Sequence, residues 1–448
     1  MTVDSATIEQ ARTLILDWYR QGLDAVDPRL AVQRSVEWSG DGALQVAGDR
    51  IEIPSEARVI GIGIGKAAAA MAAGLDERLG DRLTTGIILT KDGHADQVPT
   101  GWRVFEAAHP VPDERGVEAT KTILDTVSGL QASDVVIVLV SGGGSALLEA
   151  PREPLTLADI QRVTSALLRA GAPIQDLNAV RSELSQVKGG GLRRAIGEAR
   201  CVSLILSDVL GNDPRVIASG PTVPREPAPE RALELLECYG VLDQVPPAVI
   251  ELLRRTPETF DPDSAAGDLY SVVGDNERFV GAIATAAGEA GFKPEVVLRH
   301  GEGEARDLAR EFLSLSDLHP TADVLIGGGE ATVTVRGNGR GGRNTEFALS
   351  AAHSLAEARN GNLVVASLAS DGQDGSVEGA GAIVDARTIE RAVAMSLDAG
   401  AALGRNDSGG FFEELGEMVV PGPTGTNVND VYIAIRPEAV KTMASGAA

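Results

Sequence analysis

The run from Val135 to Val140 is unbroken, apolar and mostly β-branched, and it ends in Ser141, Gly142, Gly143, Gly144 and Ser145. A run of this length that lacks alternation predicts a strand buried on both faces. Such strands belong to sheets covered by helices on each side, so the fold class is α/β. Open sheets of that class take ligands at the C-terminal ends of their strands. Three glycines there let backbone N–H groups converge on one point without a Cβ in the way. The stretch therefore predicts an anion or phosphate cradle. A tight strand-to-helix turn that touches no ligand is the alternative.

The same grammar recurs along the chain. Arg58 to Ile64 predicts a strand, Gly65 and Lys66 follow, and an Ala-rich helix begins after them. This is no Walker A loop, because Ile60 and Ala67 occupy positions that need Gly and Ser/Thr. Nor is it a strict dinucleotide fingerprint, since Gly65 falls one residue early. A lysine at a helix start beside bare backbone still favours an anion. His109, ahead of Pro110, is a candidate for orienting a substrate or for a structural hydrogen bond. On a continuous helix Arg181 and Lys188 share a face, with Ser185 close to it, which suits an anionic ligand or an ordinary solvated surface. Cys201 to Leu206 predicts a strand that delivers Asp208, a position where a carboxylate can hold Mg²⁺ or accept a proton.

Prolines punctuate 223 to 267, which reads as a helical connector. Beyond it, Ala322 to Glu330 predicts a strand followed by three glycines, and Ala331 to Arg336 a further strand. Arg340 and Arg343 precede a helix, where guanidinium groups clamp carboxylate or phosphate. Asn344 follows them. The strand from Asn362 ends in Asp371, a second strand-end carboxylate, with Asp374 the lesser candidate. Thr426 and Asn427 can donate to phosphate or tie their loop.

Composition limits the partners. The formal net charge of −24 opposes nucleic acid and anionic membranes. Two cysteines cannot build a disulfide scaffold or a four-ligand zinc site. No signal peptide or membrane-length apolar stretch is visible, which predicts a cytoplasmic monomer or homodimer. Cations beside glycine loops and carboxylates after strands together suit metal-assisted phosphoryl transfer.

Several motifs, in order and over nearly the whole chain, resemble the class II glycerate kinases of the MOFRL family. They are Gly63 to Ala67, Ala108 to Asp113, Ser141 to Leu147, Lys188 to Leu192, Ser207 to Asp213, Gly341 to Glu346, Ser370 to Gly375 and Gly422 to Asp430. The resemblance implies a Rossmann-like N-terminal domain (1–235) and a distinct C-terminal α/β domain (236–448), with the active cleft between them. The N-terminal helix is free to pack on either. It implies ATP- and Mg²⁺-dependent phosphorylation of D-glycerate to 2-phosphoglycerate, with Lys66 and Arg343 in the active site. Arg181, Lys188, Arg340, Asn344, Thr426, Asn427 and the segment Ser141 to Ser145 are the candidate substrate or nucleotide contacts. Asp208 and Asp371 share the metal and base roles by strand-end position. A nicotinamide-dependent hydroxypyruvate reductase and a non-catalytic phosphosugar-binding protein are the rival readings.

Overall fold

Strand order settles the class of the first half. The computed structural model describes residues 4–40, 42–255, 267–357 and 363–446. The chain divides into two compact units, one of Pro28–Val273 and one that joins Met1–Asp27 to Gly274–Ala448.

In the first unit, β1 (Val36–Ser39), β2 (Ala43–Val46) and β3 (Asp49–Glu52) form a small antiparallel sheet. The main sheet contains β4 (Val59–Ile64), β5 (Thr85–Lys91), β6 (Arg103–Ala107), β7 (Val135–Val140), β8 (Arg200–Leu206) and β9 (Leu269–Gly274). Their order is β6-β5-β4-β7-β8-β9, and β4 lies parallel to both β5 and β7. Every residue of β4 and of β7 is buried. That is the Rossmann order, in which the chain reverses its direction of winding between β4 and β7. The glycines of β4 serve packing: a methyl group on Gly61 would fall 2.4 Å from the Trp102 ring.

Residues 223 to 255 belong to this unit rather than linking two domains. The helices Pro229–Cys238 and Pro247–Leu253 bury Leu235, Leu236 and Val249 with Val163, Leu167 and Leu177 of the helices Leu157–Arg169 and Ile174–Leu184. The division between units thus falls at 273/274, where the sequence suggested 235/236. Prolines there start helices instead of interrupting a linker. Pro257 and Pro262 lie outside the described residues.

The second unit holds a mixed sheet of β10 (Pro294–Glu304), β11 (Val324–Thr332), β12 (Val364–Ala369), β13 (Gly381–Asp385), β14 (Met418–Val419) and β15 (Asp430–Ile435). Its order is β10-β11-β15-β12-β13-β14, with only β10 and β11 parallel. Stacked Phe347 and Tyr432, 4.4 Å apart, anchor its core beside Phe312. The helix Ser5–Ala25, capped by Asp4, packs on the helix Asn276–Glu289 of this unit, with Tyr19 edge-on to Phe279.

Two expectations fail here. Gly327 to Gly329 do not follow the strand; they run inside β11. A methyl on Gly328 would lie 2.0 Å from Asn276 Oδ1, and one on Gly329 2.1 Å from the Gly301 carbonyl, so these glycines admit close neighbours. The strand predicted from Ala331 to Arg336 is only the end of β11, because pairing stops at Thr332.

Candidate functional site

The C-terminal ends of β4 and β7 meet through backbone bonds. Ser141 N–H donates to the Ile64 carbonyl (2.9 Å), and Lys66 N–H to the Gly142 carbonyl (2.9 Å). Ser141 Oγ accepts from Ala67 N–H at 3.1 Å, so this buried hydroxyl ties the two loops together. Gly65 sits at φ 118°, and a methyl there would come within 2.3 Å of Ser141 Oγ. Gly143 sits at φ 85°, and its missing Cβ faces His109 Cδ2 at 3.2 Å and Lys66 Cγ at 3.3 Å. A short helix, Gly144–Leu147, follows. Among the described residues, the N–H groups of Gly142, Gly143 and Ser145 meet no acceptor in the chain. Ser145 Oγ lies 2.7 Å from Ser219 Oγ.

Asp208 stands at the end of β8 with its carboxylate against Gly142, where a methyl would fall 2.3 Å from Oδ2. One carboxylate beside open backbone donors suits Mg²⁺, which keeps waters and substrate phosphates among its ligands. No group of three His, Cys, Asp or Glu is arranged for a metal among the described residues. The donor set thus fits a metal held jointly with substrate phosphate.

Lys188 and Arg181 are spent beneath this edge. The helix carrying Arg181 ends at Leu184, and Ser185 is extended, so the continuous helical face expected for the pair does not form. Both cations turn to the fully buried Glu149, Lys188 Nζ at 3.2 Å and an Arg181 nitrogen at 3.4 Å. Lys188 also donates to the carbonyls of Ser145 (2.9 Å) and Leu148 (2.7 Å), and Arg181 to that of Ser145 (2.9 Å). Burial would raise the Glu149 carboxyl, but Lys188 and Arg181 hold it below its ordinary range. Burial pushes Lys188 down to about 8, against the pull of Glu149. These cations brace the turn from below and are closed to solvent.

Three further cationic or titratable groups surround Lys66. Lys91 ends β5, His94 follows it, and His109 follows β6 across a cis bond to Pro110. The His94 ring reaches the Lys66 backbone. Burial, then Lys66, Lys91 and His94, pushes His109 down to about 4. Burial, Lys91 and Lys66 also lower His94, with Asp96 opposing.

In the second unit Arg343 opens the helix Arg343–Glu357. Its Nη1 donates to Glu330 Oε1 (2.7 Å) and Nη2 to Asp430 Oδ1 (3.2 Å). Its Nε lies 2.6 Å from Asp430 Oδ2, at ion-pair distance but out of hydrogen-bond alignment. Asn344 Nδ2 donates to Asp430 Oδ1 (3.0 Å), and Asn429 Nδ2 to Glu330 Oε2 (3.2 Å). Burial lifts the Asp430 carboxyl to about 7 against Arg343 and Asn344. Burial acts to lower Arg343, but Asp430 and Glu330 carry it above its ordinary value.

Asp374 is a cap: it accepts from the N–H groups of Asn344 (2.9 Å) and Thr345 (2.8 Å), and burial raises its carboxyl. Asp371 follows β12, half-buried, and its Oδ1 accepts from Gln373 N–H at 3.0 Å. Arg340 is exposed and pairs with Glu413, away from the Arg343 partners. Thr426 is buried and donates to the Val26 carbonyl (3.0 Å), and Asn427 Oδ1 accepts from Asn429 N–H (3.2 Å). These two side chains tie their loop. Asp430 and Glu330 were missed as site residues. The Gly422 to Asp430 motif held Asp430, but nothing local tells that it will meet Arg343 from 87 positions away.

Residues 14–254 match the family described as a domain of unknown function, DUF4147, and residues 323–430 match the MOFRL family. A D-glycerate 2-kinase of Thermotoga maritima is 37% identical over 95% of this chain and 99% of its own length. A protein of Agrobacterium vitis with the provisional name of hydroxypyruvate reductase is 41% identical over 88% of this chain and 90% of its own. The crystal structure of a glycerate kinase from Thermotoga maritima superposes with a TM-score of 0.84 at 36% identity, covering 96% of this chain and all of that one.

Proposed function

The chain belongs to the MOFRL family of glycerate kinases, and from that premise we propose that it transfers a phosphoryl group from ATP to O2 of D-glycerate, giving 2-phosphoglycerate. The observation that carries this reading is the meeting of Lys66 with the open N–H groups of Gly142, Gly143 and Ser145 where the winding of the sheet reverses. A transferring phosphoryl needs charge neutralisation and fixed donors more than covalent chemistry. Lys66 supplies the charge, and the glycine segment supplies donors that are already oriented.

Asp208 takes the metal role left open between two carboxylates, because it flanks the cradle; Mg²⁺ held there neutralises phosphate charge. Asp371 takes the proton from the acceptor hydroxyl. Arg343, held by Asp430 and Glu330, grips an anionic group of a substrate. Arg181 and Lys188 support the Ser145 turn and touch no substrate.

The nicotinamide reading is weaker on physical grounds. Gly61 and Gly63 lie inside β4 and accommodate Trp102 and Ala68, so they give no backbone approach to a pyrophosphate. The test is ³¹P NMR of the protein with ATP, Mg²⁺ and D-glycerate, beside an NADH–hydroxypyruvate absorbance assay. A growing 2-phosphoglycerate signal with flat absorbance is expected. The Asp208→Asn variant is expected to need about tenfold more Mg²⁺ for half-maximal rate. Falling absorbance without phosphoryl transfer overturns the kinase, and a wild-type metal response in that variant removes Asp208 from the metal.

A further inference from the structure

Of the chain's six lysines and five histidines, two of each gather at one edge: Lys66, Lys91, His94 and His109. They come from the ends of three neighbouring strands, β4, β5 and β6, so the sheet itself assembles them. All four are half-buried, which leaves each side chain a face to solvent. Gathering like charges is unfavourable, and the overall charge of −24 shows no general surplus of cations to explain it. Asp96 opposes the lowering of His94 by Lys91 and Lys66, whereas Lys188 and Arg343 each have carboxylate partners at ion-pair distance.

The acceptor chemistry says what such a seat would hold. In a 2-hydroxy acid the reacting hydroxyl and the carboxylate sit on adjacent carbons. A site that phosphorylates that hydroxyl needs its carboxylate seat next to its phosphoryl seat. The missing Cβ of Gly143 marks that adjacency, since Lys66 and His109 both close on it.

We propose that Lys91, His94 and His109, together with Lys66, seat the carboxylate of the acceptor and select a 2-hydroxy acid over an uncharged polyol. This assignment rests on the kinase reading above. Neutral His109 donates a ring N–H to the carboxylate, Lys91 supplies the charge, and Lys66 serves carboxylate and phosphoryl together. An anion placed among these groups offsets the charges of Lys66 and Lys91, which add to burial in depressing both histidines.

The test uses the whole protein in two ways. The first follows the histidine ring signals by NMR through a pH titration, with D-glycerate or with glycerol and no nucleotide. D-Glycerate is expected to move the His94 and His109 signals and raise their midpoints, and glycerol to leave them in place. The second compares Lys91→Gln and His109→Gln by steady-state kinetics. KM for D-glycerate is expected to rise about tenfold or more, as the loss of one charge-assisted bond implies, with KM for ATP little changed. Lys91→Arg is expected to recover part of the loss.

Unmoved histidine signals with D-glycerate overturn the proposal, and the wild-type measurement needs no variant to fold. A rise in KM for ATP alone overturns it in favour of a nucleotide phosphate seat. Histidine signals that answer D-glycerate in a protein that transfers no phosphoryl group support the seat and sink the kinase reading instead.

Discussion

The glycine edge of the first sheet and the Arg343 cluster of the second unit both present a cation beside a helix start, but they hold charge in opposite ways. At the glycine edge Lys66 stands with Lys91, His94 and His109, while Asp208 lies against Gly142 and Asp96 acts on His94. The paired charges of that region are one layer down, where Glu149 holds Lys188 and Arg181. In the second unit Arg343 is already clasped by Asp430 and Glu330. The first arrangement keeps positive charge available to a ligand. The second fixes a guanidinium in place and tunes a buried carboxyl. An ion pair inside a site therefore says less about ligand binding than an unmatched charge does, because the pair has its counter-ion built in.

The largest effect should come from the buried layer. Lys188→Met leaves Glu149 with Arg181 as its one charged partner and is expected to cost about 3–5 kcal/mol of stability by urea unfolding. Adding Glu149→Gln should restore much of that loss. A stable single variant would show that the pair is no support for the turn.

Next is Lys66→Ala. It should lower kcat about 10²–10³-fold, as removal of a charge-stabilising donor does, while the melting temperature barely moves. Unchanged kcat would remove Lys66 from the chemistry. A large loss of melting temperature would erase the contrast with Lys188.

The smallest effect concerns Asp430. Its folded-state pKa, lifted to about 7, lies above the ordinary carboxylate value. A group raised in this way favours the fold below its unfolded pKa and loses that contribution as pH climbs through about 7. Asp430→Asn removes the dependence, so the variant should gain on wild type by on the order of 2 kcal/mol between pH 5 and pH 8. Parallel melting curves at the two pH values would mean that Arg343 already keeps Asp430 ionised.

Much of the fold is legible in local sequence. The run Val135 to Val140 fixes a doubly buried strand because no polar side chain interrupts it. Thr156 and Asp159 form the capping box that opens the helix Leu157–Arg169. Asp4 caps the first helix, and Lys66 and Arg343 fall where strand–loop–helix patterns place them. The failures have two causes. The three-stranded sheet β1–β3 has strands of four residues, too short to stand out as a pattern. The glycines of β11 read as the end of the strand because their neighbours, Asn276 and Gly301, are distant in sequence.

The sequence by itself determined the alternating strands and helices of the first unit, the glycine turn after β7, and the places of Lys66 and Arg343 beside helix starts. Tertiary structure alone decided which charges remain available. It buried Lys188 and Arg181 against Glu149, brought Asp430 and Glu330 to Arg343, and gathered Lys91, His94 and His109 near Lys66. The physical reason is range. Strand and helix preferences act over a few neighbouring residues, whereas burial and charge compensation depend on groups brought together from anywhere in the chain.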